Sequence, residues 1–255
     1  MTAVTVHHRI DGDPGHPVLV LGHSLGSSLE MWDPQVAELA KHFRLVRYDL
    51  RGHGRSPAGP AACDMADLGS DVIALLDRLG VERAHVGGLS LGAMAALWVA
   101  AHRAERVEKL VACCTVAHFP SPTAWAERAA LVRAHGTAHV ADGIIARWFT
   151  PEFAARHPER IASVRATFVS ASREGYVACC GAIERMDLRL DLARIRAPAL
   201  VVAASGDTST PPERVAEIAR AVPGARFEKI DGGAHLVNVE KPERVTELLL
   251  SHLRG

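Results

Sequence analysis

No run in this chain approaches the roughly 20 consecutive apolar residues that cross a bilayer, and Met1 to Arg9 hold no apolar stretch of the kind that opens a secretion signal. A soluble, cytoplasmic protein is the expectation. A surplus of charge is missing too. The 29 Lys and Arg are matched by 29 Asp and Glu, so neither a nucleic acid nor an anionic membrane surface is an expected partner. Cysteine is sparse and odd in number, five residues in all, which argues against a disulfide framework and for reduced, packed thiols. Two of the cysteines, Cys113 and Cys114, are neighbours in a predicted strand and face opposite ways, a poor geometry for sharing a metal. The 14 histidines include no H-E-x-x-H or similarly spaced cluster. No metal and no other cofactor is expected. The glycine-punctuated stretch Arg51-Gly52-His53-Gly54-Arg55-Ser56-Pro57 lacks the G-K-[ST] of a phosphate cradle and reads as a turn.

What is present is an alternation of apolar runs and helical patterns. A chain of 255 residues, 48% hydrophobic, suits one α/β domain with an insertion. Residues 2–11 read as an edge strand that ends in turn formers. Pro17 to Gly22 is a strand apolar throughout, as a strand buried on both faces must be. A helix is expected from Glu30 to His42, a strand from Phe43 to Asp49, and a helix from Asp67 whose apolar residues Leu68, Val72, Leu75, Leu76 and Leu79 recur at helical spacing until Gly80 closes it. A short strand opening at Ala84 runs into a sharp turn and an alanine-rich helix ending near Ala100, and a strand at Val107–Cys114 follows. The rhythm breaks over residues 118–186, where several helices and no strand are expected. It resumes with a strand at Pro198–Ala204, a helix over 212–221, a strand over 225–230 and a helix over 242–253. These residues predict a mostly parallel central sheet with helices on both faces. The core comprises residues 1–117 and 187–255, and an inserted helical cap spans 118–186.

The organising stretch is Gly88-Leu89-Ser90-Leu91-Gly92. A G-x-S-x-G between an apolar strand and a helix of strong helix formers is the setting of a nucleophile elbow, where small residues let strand and helix close around a strained turn that exposes the serine. A serine hydroxyl needs a base to take its proton, and the base needs a carboxylate to fix its tautomer. Asp207 follows one late strand and His235 follows the next, at the strand ends where open α/β sheets place their sites. The order Ser90, Asp207, His235 is that of α/β-hydrolases. Asp231 and Asp187 are weaker candidates for the acid. The oxyanion donors expected by position are the N–H groups of Leu91, after the nucleophile, and of Leu25, in the loop after the Val18–Leu21 strand.

With these residues placed, the chain resembles the α/β-hydrolase family along its length. A narrower resemblance is carried by Ser24-Leu25-Gly26, Glu30-Met31-Trp32-Asp33-Pro34-Gln35, Tyr48-Asp49-Leu50-Arg51-Gly52-His53-Gly54, Arg147-Trp148-Phe149-Thr150, Gly175 to Cys180 and Ala234 to Glu240. These are similar to 3-oxoadipate enol-lactonases, with His23 standing where many of them carry asparagine. The resemblance implies a serine hydrolase that opens a small-molecule lactone bearing a carboxylate, in aromatic-compound catabolism by the β-ketoadipate route. It implies a carboxylate contact from Arg133 or Arg147 in the cap and apolar walls from Trp125, Trp148 or Tyr176. Two alternatives stand beside it: a general carboxylesterase or carbon–carbon bond hydrolase on the same triad, and a ligand-binding protein that performs no turnover.

Overall fold

The computed structural model describes residues 3–60, 62–121 and 123–255. Among them, strands β1 (His8–Asp11), β2 (Val18–Gly22), β3 (Arg44–Tyr48), β4 (Ala84–Leu89), β5 (Val107–Cys113), β6 (Ala199–Ala204) and β7 (Arg226–Ile230) form one sheet in the order β1-β3-β2-β4-β5-β6-β7. Only β1 runs antiparallel to its neighbour; the other pairings are parallel. Strands β4 and β6 are buried at every residue, which is why β6 reads as an unbroken apolar run and β4 as one interrupted by a single polar residue, His85, rather than as alternating patterns.

Helices α1 (Asp33–Leu39), α2 (Met65–Arg78) and α3 (Leu91–His102) precede the insertion, and α9 (Pro212–Ala221), α10 (Val237–Glu240) and α11 (Pro242–Arg254) follow it. Between β5 and β6 lie α4 (Thr123–His135), α5 (Ala138–Ile145), α6 (Pro151–Arg156), α7 (Pro158–Ser170) and α8 (Arg173–Glu184). An isolated antiparallel bridge between His118 and Asp187 closes the neck of this five-helix insertion.

Local chemistry sets most boundaries. Helix α2 begins where Asp64 and Asp67 satisfy each other's backbone N–H groups in a capping box, and it ends before Gly80, at φ +65°. The expected helix from Glu30 to His42 is instead a 3-10 turn, Leu29–Trp32, followed by α1; Pro34 in its first turn marks where the α-helix starts. The expected edge strand over 2–11 is ordered as a strand only from His8, and Thr2 lies outside the described residues. Cys114 leaves β5, adopting φ +43°. Cys179 and Cys180 lie on α8, and all five cysteines are buried and free.

Among the described residues, no helix is long and apolar enough to cross a membrane. None of their His, Cys, Asp and Glu side chains group in threes that could hold a metal.

Candidate active site

Ser90 sits at the corner between β4 and α3 with φ +55° and ψ −117°. A non-glycine residue held there costs on the order of 1–3 kcal/mol, so the surrounding contacts must fix it. Ser90 N–H donates to Cys113 O (2.9 Å), its carbonyl accepts from Met94 N–H (2.9 Å) and from Thr115 Oγ1 (3.0 Å), and Gly92 N–H donates to His23 O (2.9 Å). The flanking glycines are demanded by space: a Cβ on Gly92 would overlap the Gly22 backbone, and one on Gly88 would overlap Gly92 itself. Strand and helix therefore approach closely enough to turn the serine side chain outward.

The loops after β6 and β7 bring Asp207 and His235 into contact. His235 Nδ1 donates to Asp207 Oδ2 at 2.8 Å, with both residues almost wholly buried. Burial by itself would raise the Asp207 pKa. The charge of His235 and the hydrogen bonds from His235, Thr210 Oγ1 (2.5 Å) and Thr210 N–H (3.0 Å) outweigh it and hold the carboxyl below its ordinary value. Ser209 N–H adds a further bond to Oδ1 (2.8 Å). An ionised Asp207 keeps the His235 proton on Nδ1 and leaves the Nε2 lone pair facing the cavity.

The loop after β2 is pinned by two buried histidines. Leu50 N–H donates to His23 Nε2 (2.9 Å) while His23 Nδ1 donates to the Ser24 carbonyl (2.7 Å). Gly26 N–H donates to His53 Nε2 (2.9 Å) while His53 Nδ1 donates to Arg51 O (3.0 Å). Each ring must be neutral to accept, and burial lowers His23 to about 4 and His53 to about 3. Leu25 lies between these two anchored positions. Leu91 opens α3, so its N–H has no intrahelical acceptor.

Ser24, Leu25, Ser90 and His235 line one cavity of about 520 Å³, within the range of small-molecule sites. Trp125, Arg147, Trp148 and Tyr176 line it from the insertion. Trp148 lies 6.5 Å from the His235 ring, centroid to centroid, and its carbonyl accepts from Leu236 N–H (3.0 Å), so the insertion is tied to the histidine loop through the backbone. Glu240 adds a second tie, accepting from Thr150 N–H, Thr150 Oγ1 and Ala234 N–H.

Arg133 does not join this group: it borders a separate cavity with Ala62, Val177 and Arg185. The arginine of α4 that faces the site is Arg128, whose guanidinium lies 4.2 Å from the Trp125 ring centroid. Five residues further along an α-helix is a rotation of about 140°, which carries Arg133 to another face. Trp125 and Arg128, three apart, share one face, and that spacing was the available signal. Sequence reasoning also missed Ser24, whose hydroxyl lies 3.4 Å from His235 Nε2, and Arg214, which lines the cavity from α9. Arg128 and Arg147 form no ion pair among the described residues, and burial together with the Arg128 charge pulls Arg147 below its ordinary value.

An elbow serine, a carboxylate-held histidine and backbone donors around one cavity can perform nucleophilic acyl transfer. A family model for the alpha/beta hydrolase fold matches residues 17–154. The chain belongs to the α/β-hydrolase family. Within it, 3-oxoadipate enol-lactonase 2 of Acinetobacter baylyi is 35% identical over 242 residues, covering 94% of this chain and 90% of the relative. The solved enol-lactonase from Burkholderia xenovorans LB400 superposes with a TM-score of 0.96 at 39% identity, covering 100% of this chain and 99% of that one. A thermophilic esterase from Thermogutta terrifontis, solved with malate bound, matches with a TM-score of 0.91 at 32% identity over 99% and 97% of the two chains.

Proposed function

We propose that this α/β-hydrolase is a carboxylic ester hydrolase that opens 3-oxoadipate enol-lactone to 3-oxoadipate through an acyl-enzyme on Ser90. Kinship with enol-lactonases supports the class of reaction. The observation that carries the substrate is the pairing of Arg128 and Arg147 in one cavity with no acidic partner among the described residues. The Arg128 charge is felt by Arg147 as repulsion, and a carboxylate-bearing ligand relieves it while accepting charge-assisted hydrogen bonds.

In this reading Ser90 attacks the lactone carbonyl as His235 Nε2 takes its proton. The N–H groups of Leu25 and Leu91 hold the oxyanion; losing one such donor costs roughly 100- to 1000-fold in rate. Collapse of the tetrahedral intermediate breaks the ring C–O bond and releases an enolate, a better leaving group than an alkoxide. Once protonated, the enol tautomerises to the ketone and loses the nucleophile that could re-close the ring. Water activated by His235 then hydrolyses the acyl-enzyme. Trp125, Trp148 and Tyr176 supply the apolar walls, and the inserted helices act as the cap over the site.

The test pairs the enol-lactone with a neutral p-nitrophenyl ester. Arg147→Met should raise KM for the lactone on the order of 10-fold, the loss of one charge-assisted contact, and leave KM for the neutral ester within about 2-fold. Equal changes for both substrates would remove the arginine from carboxylate recognition. The esterase neighbour favours a second reading, turnover of simple esters, and a higher kcat/KM for p-nitrophenyl esters than for the enol-lactone would establish it.

A further inference from the structure

His235 Nε2 has beside it a hydroxyl that does not belong to Ser90. Ser24 Oγ lies 3.4 Å away, in a residue only 2% exposed that lines the same cavity as Ser90. The Ser24 backbone is already committed: its carbonyl accepts from His23 Nδ1 (2.7 Å) and from Ser27 N–H (3.0 Å). Its hydroxyl has one side-chain partner among the described residues, the catalytic base. Because Asp207 fixes the proton on Nδ1, the neutral ring offers Nε2 only as an acceptor, and Ser24 donates to it. When Nε2 becomes protonated the bond reverses and Ser24 Oγ accepts. A hydroxyl can accept one proton and give up another at the same time, which neither an N–H group nor a carbonyl can do.

We infer that Ser24 relays the proton of the His235 imidazolium to the departing oxygen of the substrate. The inference rests on the serine-hydrolase reading above. As the ring C–O bond breaks, its electron pair stays on the ring oxygen. That oxygen takes the Ser24 hydroxyl proton while Ser24 Oγ takes the proton from Nε2. The net transfer is one proton from Ser90 to the leaving oxygen, and Ser24 and His235 both end as they began. The relay matters in proportion to the basicity of the leaving group: p-nitrophenolate departs without protonation, whereas an alkoxide does not.

The test measures kcat/KM, which reports acylation, for p-nitrophenyl, phenyl and ethyl esters of one acyl group, with wild type, Ser24→Ala and Ser24→Thr. Ser24→Ala should fall about 100-fold on the ethyl ester, the lower end of general-acid contributions, and by less than about 2-fold on the p-nitrophenyl ester. Ser24→Thr, which keeps the hydroxyl, should recover most of the ethyl-ester rate. An equal loss on all three esters, or no loss on any, would overturn the relay. If Ser24→Ala fails to fold, Ser24→Thr still decides: a steeper dependence on leaving group than wild type contradicts the relay, and an unchanged dependence supports it. Retention of activity by Ser90→Ala would instead overturn the acyl-enzyme reading, so the two failures are distinguishable.

Discussion

Replacing His23 with asparagine should flatten the acid side of the stability curve. His23 and His53 are buried neutral acceptors with folded pKa values of about 4 and about 3, and burial lowers His85 to about 4 as well. The ordinary value is 6.5. Below it the unfolded chain binds protons that the folded chain refuses, so stability falls as pH drops from about 6.5 towards about 4. Each histidine contributes a slope of about 1.4 kcal/mol per pH unit, roughly 4 kcal/mol per unit for the three together. Asparagine at position 23 keeps a donor for the Ser24 carbonyl. Its shorter reach leaves Leu50 N–H without its acceptor, which costs about 1–3 kcal/mol at neutral pH. It carries no titratable group, so its slope should be lower by about 1.4 kcal/mol per unit. Urea titrations at pH 7, 6, 5 and 4.5 should therefore show the variant less stable at pH 7 and the two proteins converging near pH 5. Parallel curves would refute the claim that a neutral His23 is required by the loop.

Asp207→Asn preserves the size of the residue but reverses the tautomer preference of His235, and kcat should fall on the order of 10,000-fold with KM changed by less than about 3-fold; steady-state kinetics decide, and a fall of only a few-fold would displace Asp207 as the acid. Gly92→Ala drives a methyl group into the Gly22 backbone and should destabilise by more than about 4 kcal/mol, read as a drop in Tm of roughly 10 °C or as insoluble protein. A normal melting curve would contradict the close approach at the elbow. Arg133→Ala, which alters the separate cavity, should leave KM for the enol-lactone within about 2-fold.

The features legible in the sequence are those whose cause is local. Gly88 and Gly92 flank Ser90 because the turn is sterically closed, and a sequence shows that directly. Asp207 follows the buried apolar strand β6 and His235 follows β7, a mostly exposed edge strand paired in parallel with it, so the parallel alternation brings their loops to the same sheet edge. The phase of α4 is different in kind: Trp125, Arg128 and Arg133 each suit a cavity wall, and only packing selects the face that turns inward. The roles of His23 and His53 are less visible still, since a histidine's tautomer is set by the partner on its other nitrogen, here Leu50 N–H and Gly26 N–H. Asn238 and Gln35 show the same limit. They lie in segments that resemble enol-lactonases, but their meeting is tertiary: Gln35 Nε2 donates to Asn238 O (2.8 Å) and Asn238 Nδ2 donates to Met31 O (2.8 Å), fixing α10 beside the His235 loop.

Loss of 3-oxoadipate enol-lactone, followed by its ultraviolet absorbance with wild type and Ser90→Ala, tests the acyl-enzyme on Ser90. Rapid decay with wild type, and a rate with Ser90→Ala lower by about a million-fold, is the result expected. Turnover that survives the substitution, or a wild type that leaves the lactone intact while cleaving simple esters, would contradict it.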